Sequence, residues 1–385
     1  MIEIKHAAFS DLKGSLKRDF LNVVSHIYAD DGAYVRPLDM DLSDRLNPKK
    51  NPFFEHGEGA AFVAYKNGVP VGRITAQIDR EHLARYHDDV GFFGFLDTIE
   101  DPEVANRLLA HAEGWLSLRG MKAMRGPISL SINEEMGCLV DGFDTSPFIM
   151  MPHHRPYQST LIEGAGLAKA KDVFAWAYDI GELNARVKRA QAGIAELPEV
   201  KSRHANPKNM EQDVRLIVDI FNDAWSENWG FVPLTQNEVR KMAQDFKLIL
   251  IPELTRIVSI DNEPAAVSVA IPNINEMVGD TDGKLFPTGL VKLLYRLKVR
   301  GPKSARLMIL GIRKKFRMQR RYMPLSAFLY AEMNESAKKL GISHGELSWT
   351  LEDNHAVNAG IKMMGGRAYK RYRVYEKPIE RTSRS

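Results

Sequence analysis

The spacing of hydrophobic positions predicts a β-hairpin early in each half of the chain. Residues 60–79 form two apolar runs on either side of Asn67-Gly68, a pair that favours the tight turn of a hairpin. Residues 255–271 have the same layout around Asp261-Asn262. Because self-similarity at a fixed spacing marks a repeated unit, we expect the two halves to share a fold.

The segments after each hairpin also match in order. An apolar strand at 90–97 precedes a helix that begins at Asp101-Pro102 and carries apolar residues at helical spacing. In the second half, 305–312 is the corresponding strand, and 324–342 is the helix, closed by Gly341. Each helix is followed by a strand and then by a final helix and strand, at 123–132 and 161–178 in the first half and at 344–351 and 361–377 in the second.

The length of the chain agrees with two domains. It has 385 residues, whereas a single domain usually has roughly 100 to 200. Hydrophobic residues make up 44% and charged residues 26%, as in ordinary folded proteins. We predict an N-terminal domain at 1–180 with a polar insertion at 133–158, a linker at 181–210, and a C-terminal domain at 211–385.

Cysteine content and hydropathy exclude several protein classes. Cys138 is the single cysteine, so an internal disulfide and a cysteine-rich zinc site are excluded, and a reducing compartment is expected. The N-terminal residues lack the apolar run of a signal peptide, and no stretch reaches the roughly 18 apolar residues that span a bilayer. We therefore expect a cytoplasmic protein, and no ligand spacing indicates a metal site.

Positive charge is concentrated in one window of the second half. The net charge is only +4, but no acidic residue lies between Asp282 and Glu332, where there are thirteen lysines and arginines. Such a field suits phosphates or an anionic membrane surface, and 285–298 has the pattern of a basic amphipathic helix. A solvated charged face is the alternative. Because no nucleic-acid-binding motif accompanies the charge, no nucleic-acid partner is expected.

The repeated order of elements resembles the GNAT acyltransferase superfamily. The resemblance implies an α/β (α+β) fold with two tandem GNAT-like domains, each a mixed sheet that splays open to admit an acyl-CoA thioester and is flanked by helices. The strings ELSWTLEDN (346–354), GGRAYKRYRVYEK (365–377) and INEEMGCLVDGFDTSPFIMMPHHRPY (132–157) resemble the bacterial ceramide synthases.

That resemblance implies an N-acyltransferase. Its acceptor would be a long-chain amine or sphingoid base, and its donor acyl-CoA or the thioester of an acyl-carrier protein. It would work without a metal, in the cytoplasm or peripherally at the inner face of the membrane. Two alternatives stay open, namely an acetyltransferase for a small amine or peptide and a non-catalytic GNAT-like binding protein.

In this superfamily, the loop between the fourth strand and its helix holds the CoA pyrophosphate. The second copy has a basic loop there, whereas the first copy has Asp97, Glu100 and Asp101, so we assign acyl-CoA to the second copy. The loop lacks the usual glycines, so arginine side chains would replace backbone donors. The predicted cofactor-binding residues are Arg313, Arg317, Gln319, Arg320, Arg321, Asn354 and Asn358.

Acylation of an amine needs a group that removes a proton from the ammonium. Glu346 lies in an otherwise apolar strand, and the insertion at 133–158 concentrates carboxylates and histidines. The predicted catalytic residues are Glu346, His153, His154, Glu134 and Tyr157. The predicted substrate residues are Trp229, Asn133, Asp144, Glu352 and Tyr372. Helix capping is the alternative for Glu352 and Asn354, and core packing for Trp229 and Tyr372.

Overall fold

The computed structural model describes residues 1–246 and 249–380, which divide into two compact units. The first unit contains Met1–Val173, Val278–Gly289 and the segment from Lys370 onward. The second unit contains Phe174–Met277 and Leu290–Tyr369. The chain thus passes between the units more than once.

The first half of the chain supplies nine strands and five α-helices within the described residues. The strands are β1 (Ile2–Ala8), β2 (Gly57–Lys66), β3 (Val69–Asp79), β4 (Val90–Thr98), β5 (Ala123–Gly126), β6 (Ile128–Ser129), β7 (Glu135–Met136), β8 (Cys138–Asp141) and β9 (Ala168–Asp179). The helices are α1 (Gly14–Ile27), α2 (Asp39–Arg45), α3 (Arg80–Tyr86), α4 (Pro102–Ser117) and α5 (Gln158–Gly164).

The second half supplies six strands and eight α-helices within the described residues. Its strands are β10 (Val200–His204), β11 (Thr255–Ile260), β12 (Glu263–Pro272), β13 (Ser304–Ile312), β14 (His344–Leu351) and β15 (Arg367–Pro378). Its helices are α6 (Ala185–Ala195), α7 (Met210–Trp225), α8 (Gln236–Phe246), α9 (Asn275–Val278), α10 (Gly289–Tyr295), α11 (Lys314–Arg317), α12 (Leu325–Lys339) and α13 (His355–Met363). A π-helical turn, Arg296–Arg300, continues α10.

The first unit is built on a mixed sheet. Strands β1 to β4 are antiparallel, β4 pairs in parallel with β5, and β5 pairs with the end of β15. The predicted turn at Asn67-Gly68 joins β2 and β3, and both residues have positive φ, as the tight hairpin turn requires. Apolar side chains of α4 pack on one face of the sheet and those of α1 on the other.

The second unit has the same plan. Strands β10 to β13 are antiparallel and β13 pairs in parallel with β14. Helix α12 packs on one face through residues such as Leu329, and α7 packs on the other through Ile220. The predicted fold class, two copies of a mixed sheet with helices on both faces, is confirmed.

Four segments lie elsewhere than the sequence repeat suggests, and one of them, Val278–Gly289, belongs to the first unit. The second part of β9, from Phe174, lies in the second unit, and β15 from Lys370 lies in the first. The segment 181–210, expected as a linker, carries α6 and β10 of the second unit, where Val187 packs against Ala331. The unit to which a segment belongs depends on contacts with residues far away in the sequence. A local sequence pattern does not specify such contacts. The predicted domain limits at 180 and 210 remain a prediction.

Candidate active site

Strands β13 and β14 of the second unit separate about halfway along their length. They pair in parallel from Ser304 with His344 to Leu307 with Leu347. Beyond that point, β13 is half-buried at 308–310, whereas the corresponding strand β4 of the first unit is buried at every position. The second unit therefore has a partly accessible gap between these strands.

A buried polar network lies where the strands part. The carboxylate of Glu346 is fully buried, and its Oε1 accepts a hydrogen bond of 2.5 Å from the hydroxyl of Ser348. Arg306 donates from Nε to Ser348 Oγ at 2.8 Å and lies 3.6 Å from Glu346 Oε1. The hydroxyl of Tyr369 donates to Glu346 Oε2. The carboxylate is thus held on both oxygens, next to a cation that stabilises its charge.

Strand geometry explains how these four side chains meet. Glu346 and Ser348 are two residues apart on β14, so they point to the same face of the sheet. Arg306 is the parallel partner of Glu346 on β13, and Tyr369 comes from β15. The hydroxyls of Ser348 and Tyr369 both donate to the carboxylate of Glu346. Hydrogen bonds of this kind can accept a proton and pass it on.

An apolar pocket of the second unit reaches Glu346 as well. It is partly open to solvent. Its walls include Leu307 and Leu347 from the strands and Tyr330 and Met333 from α12. Leu307 and Leu347 follow Arg306 and Glu346 directly along their strands, so the apolar pocket lies on the face of the sheet opposite to the polar network.

The corresponding gap in the first unit is filled by its own chain. Strands β4 and β5 separate after Phe92 and Arg125, and residues 128–129 then occupy the space beside β4. A Cβ atom on Gly94 would lie 2.4 Å from the carbonyl oxygen of Ile128, and the N–H of Phe95 donates to Ser129 Oγ at 3.3 Å. The first unit thus has no room for a thioester arm at this position.

The loops that precede α4 and α12 also differ between the two units, in whether a side chain caps the helix. Asp101 caps α4 by accepting from the N–H of Glu103 at 2.9 Å, and Lys66 pairs with it. Helix α12 starts without a side-chain cap among the described residues. Its first N–H groups are therefore available to an anion.

The predicted cofactor residues around α12 fall into two groups. Arg313 pairs with Asp219 and donates to the Pro264 carbonyl, and Arg321 pairs with Glu199 at 2.6 Å. Gln319 is exposed and donates to the Lys315 carbonyl. Arg317 is exposed, 3.9 Å from Glu227, and Arg320 is exposed. Arg317 and Arg320 are the arginines best placed to turn towards a phosphate.

The residues after β14 include one buried amide with an unused acceptor. Asn354 accepts from the N–H of Val357 at 3.3 Å, the capping role that was the alternative for it, and Glu352 is half-buried just beyond the strand. Asn358 donates to the Leu351 carbonyl at 2.9 Å. Its buried Oδ1 has no hydrogen-bond partner among the described residues. A ligand N–H, such as an amide of a pantetheine arm, would satisfy it.

The two histidines of the insertion are buried in the first unit. His153 Nε2 lies 3.0 Å from Asp31 Oδ2, and His154 Nδ1 accepts from the N–H of Leu139 at 3.1 Å. Burial lowers the pKa of both, that of His154 to about 4. Both imidazoles are therefore neutral near pH 7, and the acidic partner of His153 is Asp31.

The other predicted residues of the insertion have structural contacts. Glu134 pairs with Arg45 at 2.8 Å, and burial raises its pKa. Tyr157 donates to the Thr98 carbonyl at 2.8 Å, and burial raises its pKa as well. The N–H of Asn133 donates to Ser131 Oγ at 3.2 Å, and Asp144 is exposed. Outside the insertion, Tyr372 is fully buried on β15. In the second unit, Trp229 is half-buried in the connection between α7 and α8.

Sequence reasoning singled out Glu346 but did not connect it with Ser348 or Arg306. Ser348 carried a signal, because its spacing of two from Glu346 on a strand puts it on the same face. From the sequence, Arg306 is one of the thirteen cations between Asp282 and Glu332. Its pairing with Glu346 depends on the register between β13 and β14, which the sequence of neither strand specifies. Within the described residues, no group of three or more His, Cys, Asp or Glu could hold a metal ion, and no helix is long and apolar enough to cross a membrane.

Two curated relatives match nearly the whole chain. A protein named bacterial ceramide synthase from Caulobacter vibrioides is 42% identical over 371 residues, covering 94% of this chain and 95% of the relative. Protein YghO from Escherichia coli is 38% identical over 369 residues, covering 95% and 94%. No protein-family model matches the chain.

Two solved structures share the fold. A tandem GNAT protein from the clavulanic acid biosynthesis pathway has a TM-score of 0.59 at 12% identity and covers 99% of each chain. A GCN5-related N-acetyltransferase from Sphaerobacter thermophilus has a TM-score of 0.54 at 11% identity and covers 98% of this chain and 96% of its own. These likenesses show the fold, and the identity to the Caulobacter protein over almost its full length shows that the chain belongs to the bacterial ceramide synthase family and is an N-acyltransferase.

Proposed function

We propose that the protein transfers a long-chain acyl group from acyl-CoA to the primary amine of a sphingoid long-chain base, and that the second unit does the chemistry. The observation that carries the proposal is the buried Glu346 network at the point where β13 and β14 part. The name of the Caulobacter relative supports the lipid acceptor.

The second unit offers the better donor site. Its strands leave a gap, its α12 N-terminus has no side-chain cap among the described residues, and exposed Arg317 and Arg320 lie just before that helix. The unused Oδ1 of Asn358 fits an amide N–H of a pantetheine arm. In the first unit, residues 128–129 fill the gap and Asp101 caps the helix. A phosphopantetheine thioester therefore fits the second unit.

The network supplies a path for the proton that acylation releases. The amine enters in its neutral form, after giving its ammonium proton to solvent. As it attacks the thioester carbon, the C–N bond forms, the C–S bond breaks, and the nitrogen loses a second proton. Ser348 takes that proton while it passes its own to Glu346. Tyr369 protonates the departing thiolate and is reprotonated by Glu346, so the carboxylate ends as it began.

The test is a turnover assay with the Glu346→Gln variant. Loss of one general base typically lowers kcat by about 10² to 10⁴-fold, and we expect that loss with a long-chain acyl-CoA and sphinganine, with acyl-CoA binding unchanged by calorimetry. Ser348→Ala and Tyr369→Phe should lower kcat as well. Glu335→Gln is the matched control, because it makes the same change at a half-buried glutamate of α12. This variant should keep normal turnover.

Two results would decide against the proposal. Normal turnover by Glu346→Gln, together with a loss in His153→Ala, His154→Ala or Glu134→Gln at unchanged melting temperature, would move the base to the first unit. Faster turnover with acetyl-CoA and a polyamine than with a long-chain acyl-CoA and sphinganine would make the protein a small-amine acetyltransferase. Turnover with an acyl-carrier protein thioester but not with acyl-CoA would change the donor alone.

A further inference from the structure

Helix α10 and the π-helical turn after it expose an unusual amount of hydrophobic surface. Within the second unit, Val291 and Val299 are each 69% exposed, Tyr295 is 59% exposed and Leu294 is 41% exposed. Residues 291, 294 and 295 lie on one face of α10 by helical spacing. We call these four side chains the α10 surface.

The α10 surface is not needed to hold the helix on its unit. Leu293 and Leu297 point the other way and are buried, at 9% and 6% exposure, so they anchor the segment. A surface helix normally has one apolar face and one polar face, whereas this segment is apolar on both. A second apolar face that is exposed marks an interaction surface.

The charged residues within α10 and the π-helical turn are all of one sign. Lys292, Lys298 and Arg300 are exposed, and no acidic residue occurs in the sequence from 283 to 331. Exposed apolar side chains that alternate along the segment with exposed cations match the interface of an anionic bilayer, where the apolar groups enter the acyl boundary and the cations meet the headgroups. Insertion of side chains suffices here, because no described helix could cross a membrane.

We propose that the α10 surface docks the protein on an anionic lipid bilayer. Docking would bring the second unit to a membrane-resident amine, so the biological meaning rests on the proposed function. The binding itself does not, because it needs neither donor nor acceptor. Its failure and the failure of the proposed function can therefore be told apart.

The experiment is co-sedimentation of the full-length protein with vesicles. Vesicles of phosphatidylcholine with roughly one third phosphatidylglycerol should bind the protein, vesicles of phosphatidylcholine alone should bind it far less, and added salt should release it. Lys298→Gln with Arg300→Gln should weaken binding roughly 30-fold, because each cation contributes about 1 kcal/mol at such a surface. Leu294→Ser with Tyr295→Ser should weaken it through the apolar term and leave the salt dependence in place.

Matched controls separate docking from general charge and hydrophobicity. Lys208→Gln with Lys339→Gln removes two exposed cations elsewhere, and Leu118→Ser removes a leucine that is 84% exposed. Both should bind vesicles like the unaltered protein, and so should Glu346→Gln. Binding that ignores anionic lipid, equal losses in the controls, or burial of the α10 surface in a dimer that light scattering detects would each overturn the proposal.

Discussion

Glu346 and His154 are both buried ionisable side chains, but their neighbours suit them to different tasks. Glu346 accepts hydrogen bonds from two hydroxyl groups, which can relay a proton, and it lies beside a guanidinium. His154 accepts a hydrogen bond from a backbone N–H at Nδ1, which supports the neutral form. At the scale of the residue, the structure favours Glu346 for proton transfer and His154 for packing.

His154 predicts a dependence of stability on pH. Its pKa falls from 6.5 to about 4 on folding because the side chain is buried. The unfolded chain therefore binds a proton between pH 6.5 and 4 that the folded chain does not, and stability is lost as the pH falls through that window. The contribution is about 1.4 kcal/mol per pH unit.

Urea unfolding of a His154→Gln variant checks this expectation. The amide can still accept from the Leu139 N–H but does not titrate, so the free energy of unfolding should fall less steeply between pH 6.5 and 4 than in the unaltered protein. His26→Gln, at an exposed position of α1, should leave the slope unchanged. An unchanged slope in His154→Gln would mean that the imidazole is not buried in its neutral form.

At the scale of the element, local chemistry predicted most of the fold and little of the site. Asn67-Gly68 and Asp261-Asn262 fixed two hairpins, and Asp101-Pro102 fixed the start of α4, because turns and caps depend on neighbouring residues. The strand expected at 123–132 is interrupted, with β5 ending at Gly126 and β6 starting at Ile128, since Pro127 cannot donate to a ladder. Pairings such as Arg306 with Glu346 depend on register between strands, which no local pattern specifies.

The loop before α12 carries a prediction of its own. Arg317→Glu with Arg320→Glu should weaken acyl-CoA binding at least roughly 100-fold, since a hydrogen bond to a charged group is worth about 1.5 to 3 kcal/mol. Isothermal titration calorimetry with an acyl-CoA measures it. Affinity should also fall with rising salt in the unaltered protein.

The control for this loop is a double reversal on another element of the same unit. Arg186→Glu with Arg189→Glu changes net charge equally at two exposed positions of α6 and should leave affinity nearly unchanged. Equal losses in the two double variants would show that only the overall field matters. A larger loss on reversing the charge at Glu100 would place the donor in the first unit.

At the scale of the whole molecule, the end of β15 is a structural part of the first unit. Tyr375 to Pro378 pair with Gly126 to Ala123 of β5. Arg373 forms a two-pronged contact with Asp172, at 2.8 and 3.0 Å, and the carboxylate is almost fully buried. This strand, β9 and the segment Val278–Gly289 are the parts of the chain in which the compact units do not follow the two sequence repeats.

Removal of Arg373 should therefore destabilise the protein strongly. Arg373→Leu removes the two-pronged guanidinium contact from the buried Asp172, and breaking a buried pair costs about 3 to 5 kcal/mol. Arg367→Leu is the control, because Arg367 and Asp179 are 71% and 67% exposed and such pairs contribute about 0 to 1 kcal/mol. Urea denaturation measures both, and adding Asp172→Leu to Arg373→Leu should recover part of the loss.

The membership of β15 has a consequence for synthesis on the ribosome. The residues that complete the sheet of the first unit emerge only after all of the second unit has been translated. Until then, the edge of β5 lacks this partner, and an unpaired strand edge is a template for association between nascent chains. The first half of this protein is therefore expected to need protection, by a chaperone or by slow release, until the last strand arrives.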